Sequence, residues 1–182
     1  MKNFINITKI LTESVVPEGS VEGKSVLGPV SYDQERGVGN VPNNQSVNYM
    51  GFAVLMTQPQ FSRLAASRDF DESSSLAGLM KALDEHKPFG SPFLDVSFSN
   101  DIPKVMGHEG RTRCKAIQMN FGAKTPILVH VLLRGGDRAR HITLEDIAKM
   151  RMEAIPEKQS RPIQGPHFSD QVWHLGSWHT LP

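Results

Sequence analysis

The strongest constraint on the fold lies in residues 104–131, where the hydrophobic period changes twice within a short stretch. Lys104-Val105-Met106 reads as a short strand, and Gly107-His108-Glu109-Gly110 interrupts it as a turn. Cys114, Ile117 and Phe121 then recur at i, i+3 and i+7, which predicts a helix over 111–121 with one apolar stripe. Gly122 is placed as its C-terminal stop. The apolar run 127–133, interrupted by His130, is the next strand. A chain built around this unit needs both a sheet and a helix packed on it.

The rest of the chain extends the same pattern. Residues 51–56 are apolar and predict a buried strand. Thr57-Gln58-Pro59-Gln60 has the spacing of a capping box with an early proline, opening a short helix to about Ala66. Residues 69–74 read as a polar loop. Leu76, Leu79, Met80 and Leu83 then lie at helical spacing, with Pro88 and Gly90 ending that helix. In 93–98, Phe93, Asp95 and Ser97 alternate with Leu94, Val96 and Phe98, the pattern of a half-buried strand that forms a hairpin with 104–106. Thr143 caps a helix to about Met152, with Ile142 and Ile147 spaced as a hydrophobic staple. The predicted class is α+β, a small mixed sheet with flanking helices. Three regions are expected: 1–46, a short helix and an extended Gly/Pro/Ser/Asn-rich arm; 47–155, the folded domain; and 156–182, an irregular tail.

Composition excludes several classes. The chain has 182 residues and one Cys, so it has no intramolecular disulfide framework and no Cys-rich zinc site. Its apolar runs are far shorter than the ~20 residues of a spanning helix, and the first residues show no secretory leader. A soluble, cytoplasmic protein with no membrane partner is the expectation. Net charge is only +1, yet residues 104–151 hold ten Lys/Arg against four acids. Such a local excess suggests an anion site.

The candidate site falls within that basic segment. Gly107 and Gly110 let backbone approach a ligand, and the helix that follows presents its N-terminus to the turn. Arg111 and Arg113 supply guanidinium forks suited to phosphate oxygens. Glu109 is placed to orient one of them or to hold a metal ion, and His108 beside it is a candidate ligand or general base. The expected phosphate-binding residues are thus Gly107, His108, Glu109, Gly110, Arg111 and Arg113; no catalytic group and no resident metal is assigned. Arg134, Arg138 and Arg140 could extend this site.

These residues resemble the ParB/sulfiredoxin-like superfamily, also described as ParB N-terminal-like nucleases. Its box, Asp/Gly-Gly-x-His/Arg-Arg-x-x-Ala, is matched by Glu109-Gly110-Arg111-Thr112-Arg113-Cys114-Lys115-Ala116, followed by Phe121-Gly122 and the Pro126-Ile127-Leu128-Val129 strand. The likeness covers roughly residues 50–133 and is similar to phage-encoded ParB-like domains with Gly-His-Glu-Gly-Arg segments. It implies binding of nucleotide or nucleic-acid phosphate, with a nucleoside triphosphate and Mg²⁺ as cofactor and a nucleotide-dependent hydrolase or nuclease as activity. It also implies a location in the host cytoplasm or the virion. Two departures matter: Thr112 replaces a phosphate-contacting His or Arg, and Arg111 stands where sulfiredoxins carry their reactive Cys. Sulfiredoxin chemistry is therefore not expected, and Cys114 is assigned to packing. The length also leaves no room for the further domains of a full partition protein.

The alternative from another class is a non-enzymatic virion-associated or assembly protein that keeps the fold. Its docking elements would be the arm, which also offers a route to homo-oligomers, and the tail carrying Trp173 and Trp178. His167, His174 and His179 lack the spacing of a metal site, and His130 reads as a core or edge residue. Asp69, Asp71 and Glu72 read as a solvated loop.

Overall fold

The computed structural model describes residues 50–65, 74–85, 92–98, 101–134, 142–175 and 177–182. The N-terminal arm, the 69–73 loop, Arg138 and Arg140 lie outside them. The chain is α+β: a six-stranded mixed sheet with four helices among the described residues. In chain order these are β1 (Met50–Met56), α1 (Gln58–Leu64), α2 (Ser74–Asp84), β2 (Phe93–Ser97), β3 (Lys104–Glu109) and α3 (Arg111–Phe121). They continue with β4 (Ile127–Arg134), α4 (Leu144–Met152), β5 (Glu153–Ala154), β6 (Ile163–Gln164), β7 (Gln171–His174) and β8 (Ser177–Thr180). Among the described residues, no helix is long and apolar enough to cross a membrane.

The strand order is β3-β2-β4-β1-β7-β8, with β2 and β4 parallel and every other pair antiparallel. The parallel pair is joined through β3 and α3, which together bring the chain back across the sheet. β1 is paired on both edges, by β4 and β7, and its Phe52, Ala53, Val54 and Met56 are buried. Gly51 is required there, because a Cβ at this position would meet the Val131 carbonyl oxygen at 2.4 Å.

Pleat alternation divides the sheet into two faces. Phe52, Val54 and Met56 of β1, Val129, Val131 and Leu133 of β4, and Leu94 and Val96 of β2 join the main core. That core also takes Phe61 and Leu64 from α1, Leu83 from α2, Cys114 and Ile117 from α3, and Ile147 and Met150 from α4. Ala53 and Leu128, with Leu55 and Trp173 against them, form a smaller cluster on the other face.

The capping boxes are both present. Thr57 caps α1 with Gln60, and Thr143 caps α4 with Asp146. Gly122 ends α3 at φ 104°, its N–H donating to the Gln118 carbonyl.

Three expectations are corrected. The strand at 93–97 is not half-buried: Phe93, Leu94, Asp95 and Val96 are all buried, so side chains on both faces of β2 are covered. Residues 107–109 are not a turn but the second half of β3, where Gly107, His108 and Glu109 pair with Asp95, Leu94 and Phe93. A bulge opposite Asp95/Val96 shifts the register there. The tail is not irregular: β7 and β8 form a hairpin on the free edge of β1, and Phe168, Val172 and Leu181 belong to the main core. Strand pairing satisfies the tail's backbone groups while its alternate side chains are buried.

A candidate anion site where β3 becomes α3

The bend between β3 and α3 is made by Gly110 alone. Its φ is 97°, and a Cβ added there would meet Pro92 Cα at 2.7 Å. Both facts demand glycine. As N-cap of α3, Gly110 offers no side chain to the first turn, and the intrahelical ladder begins with Cys114 N–H donating to the Gly110 carbonyl. The first turn holds no acid, and Arg111 and Arg113 sit in it. α4 is the opposite case, with Glu145 and Asp146 in its first turn and its basic residues in its last.

The structure brings the six sequence-derived residues together in one strand-to-helix junction, with different roles. Arg113 Nη2 donates to Glu109 Oε1 at 3.3 Å; the Arg113 side chain is only 15% exposed, whereas Glu109 is 44% exposed, so the carboxylate faces solvent and the arginine is largely covered. Arg134 is ion-paired with Asp95 at 2.5 Å, on the sheet face that also carries Gly107 and opposite the main core. Cys114 is fully buried, and burial pushes its thiol far above the ordinary range, so its role is packing.

His108 has a partner that sequence reasoning missed. Its Nδ1–H donates to Glu157 Oε2 in a very short contact, and both side chains are nearly buried. Glu157 lies 49 residues away, in the segment assigned to the irregular tail. Three backbone hydrogen bonds hold that segment in place: Val105 N–H to Ile155 O, Ile155 N–H to Pro103 O and Glu157 N–H to Leu64 O. The Phe61 ring meets the imidazole edge-on at 6.2 Å. Glu157 also lines an open groove of about 630 Å³ between α1 and residues 156–159, where Arg63, Ser62 and Lys158 are exposed to the same space. The signal for this pairing in the sequence was nil, since no periodicity links 108 to 157.

The buried histidines among the described residues are His130, His167 and His174. His167 is buried and its Nε2–H donates to the Ile163 carbonyl at 3.2 Å; burial holds its pKa below the ordinary value. His174 is buried likewise and also shifted down by desolvation. His130 is fully enclosed between β1 and β2. Trp173 and Trp178 face each other across the β7–β8 pair in a T-shaped contact at 5.7 Å. Among the described residues, no group of three or more His, Cys, Asp or Glu side chains is arranged to hold a metal ion.

Fold and site together define an α+β protein whose mixed sheet presents a basic, glycine-capped helix start. No protein-family model matches the chain, and comparisons with curated proteins and with solved structures return no match.

Proposed function

We propose that the β3–α3 junction binds a phosphate group of a nucleotide or nucleic acid, and that the chain is a ParB/sulfiredoxin-like domain of the phage-encoded type. The observation that carries this reading is the start of α3. Two arginines stand at the positive end of a helix whose N-cap has no side chain and whose first turn has no acid. Each cation at that end costs about 0.3–1 kcal/mol in the empty protein. A bound phosphate reverses the sign of that term. It accepts from the first-turn amides and from the guanidinium groups at once. Glu109 serves as a placeholder for Arg113 that an entering phosphate displaces.

The test is thermal unfolding with a panel of nucleoside triphosphates and short DNA, each with and without Mg²⁺. A binding ligand raises Tm by mass action. Arg113→Ala should remove most of that rise, since a charge-assisted fork contributes about 1.5–3 kcal/mol; because the Arg113 side chain is only 15% exposed and paired with Glu109, the rise is read from the variant's own ligand-free Tm. A panel without any shift, or an Arg113→Ala variant that responds like the wild type, overturns the assignment.

A non-enzymatic assembly role is the second reading. It is favoured by the C-terminal hairpin, whose outer strand β8 is a sheet edge carrying a 43% exposed Trp178. An exposed aromatic residue on a strand that is outermost among the described residues suits a protein partner or a second copy.

A further inference from the structure

The most unusual polar feature away from the arginines is the His108–Glu157 pair. Its side chains are only 12% and 13% exposed. A nearly buried hydrogen-bonded pair of this kind is a poor source of stability, because desolvation offsets much of the attraction. Leu94, directly opposite His108 on β2, is wholly buried in the main core, so apolar side chains would fit this end of the sheet. The pair instead has the arrangement of a general base and its orienting group. The Nδ1–H is committed to a carboxylate, so Nε2 carries the free lone pair. No described residue hydrogen-bonds Nε2. Phe61 packs against the ring edge and fixes its plane.

The position is as specific as the chemistry. His108 lies two residues before Gly110, on the sheet face that α1 and α3 cover, as its pairing with Leu94 shows. The base is therefore on the same side of the sheet as the helix start that the arginines flank. Glu157 also lines the groove beside α1, so the carboxylate end of the pair is open to water.

We infer that His108 is a catalytic residue that activates water against a phosphate ester or anhydride held at the β3–α3 junction, with Glu157 as its positioning residue. This rests on the anion-site reading above. In the step, water oxygen bonds to phosphorus and its proton passes to Nε2 of neutral His108. The bond from phosphorus to the leaving oxygen breaks, its electron pair staying on that oxygen. The imidazolium, stabilised by Glu157, then returns the proton to the leaving group or to solvent. For a nucleoside triphosphate the products are the diphosphate and inorganic phosphate.

The experiment uses the full chain with ATP, GTP, CTP and UTP in Mg²⁺, reading phosphate release and, separately, binding by calorimetry. His108→Asn keeps an N–H donor toward Glu157 and lacks the proton-accepting nitrogen. It should lower kcat by about 10²–10⁴-fold with nucleotide affinity unchanged. Glu157→Gln should lower kcat while KM holds, and Glu157→Asp should restore part of the loss, a split that a purely structural role would not produce. If either variant is poorly folded by melting, His108→Gln replaces it in the same assay. A wild type that binds nucleotide but releases no phosphate overturns the base assignment and leaves the anion site standing. So does a His108→Asn variant with full kcat. Absence of nucleotide binding overturns the anion site, and the role of His108 falls with it.

Discussion

Gly110, His108 and the buried histidines show how differently individual residues can be read. Gly110 was legible, because two glycines before a helix mark a backbone that must bend closely, and the left-handed φ against Pro92 is what the bend required. The Arg113–Glu109 pair was also within reach, since four residues separate them. The partner of His108 was not: a side-chain hydrogen bond spanning 49 residues leaves no mark in local spacing. His167 and His174 yield a prediction at this scale. Burial depresses both below the 6.5 of an exposed histidine. Above that value they are neutral folded and unfolded, and contribute no pH dependence. As pH falls below 6.5, the unfolded chain takes up protons that the folded chain resists, so stability falls until the depressed folded values are passed. Urea midpoints should therefore decline as pH falls below 6.5, and His167→Gln should flatten part of that decline.

At the scale of elements, helix starts were the most readable features and strand limits the least. A capping box is a four-residue signal that acts within its own turn: Thr57 uses it as its spacing predicts, and Thr143, expected only as a cap, also forms one with Asp146. The second half of β3 is a polar Gly-His-Glu run with no strand propensity of its own; its extended form is imposed by the register against β2. The burial of β2 on both faces depends on what packs over the sheet, which its own alternation cannot express. The contrast between α4 and α3 carries a prediction. Thr112 stands in the first turn of α3, where an acid would favour the free helix. Thr112→Asp should therefore raise the stability of the ligand-free protein by about 0.3–1 kcal/mol, read as a higher urea midpoint at unchanged slope. The same change should abolish the nucleotide-induced rise in Tm. A variant that gains stability and still responds to nucleotide would place the phosphate elsewhere.

For the whole molecule, the C-terminal residues decide both the fold and the site. They close the second edge of β1, complete the core with Phe168, Val172 and Leu181, and deliver Glu157 to His108. A chain ending at Ile155 should accordingly lose its cooperative melting transition, as followed by circular dichroism, because it exposes a long apolar strand edge and part of the core together. A truncated protein that melts like the full chain would mean that β7 and β8 are accessory.

Local physics was enough for the α+β class, the helices with their caps, the central apolar strands and the basic strand-to-helix junction, since each depends on residues within a few positions of one another. Tertiary structure alone decided the sheet order, the extension of β3 through Glu109, the place of β7 and β8, and the meeting of His108 with Glu157. Those depend on which distant segments share an edge or a core. Short strands such as Gln171–His174 carry too few residues for a period of two to be recognised; they become strands because β1 presents backbone groups that must be paired.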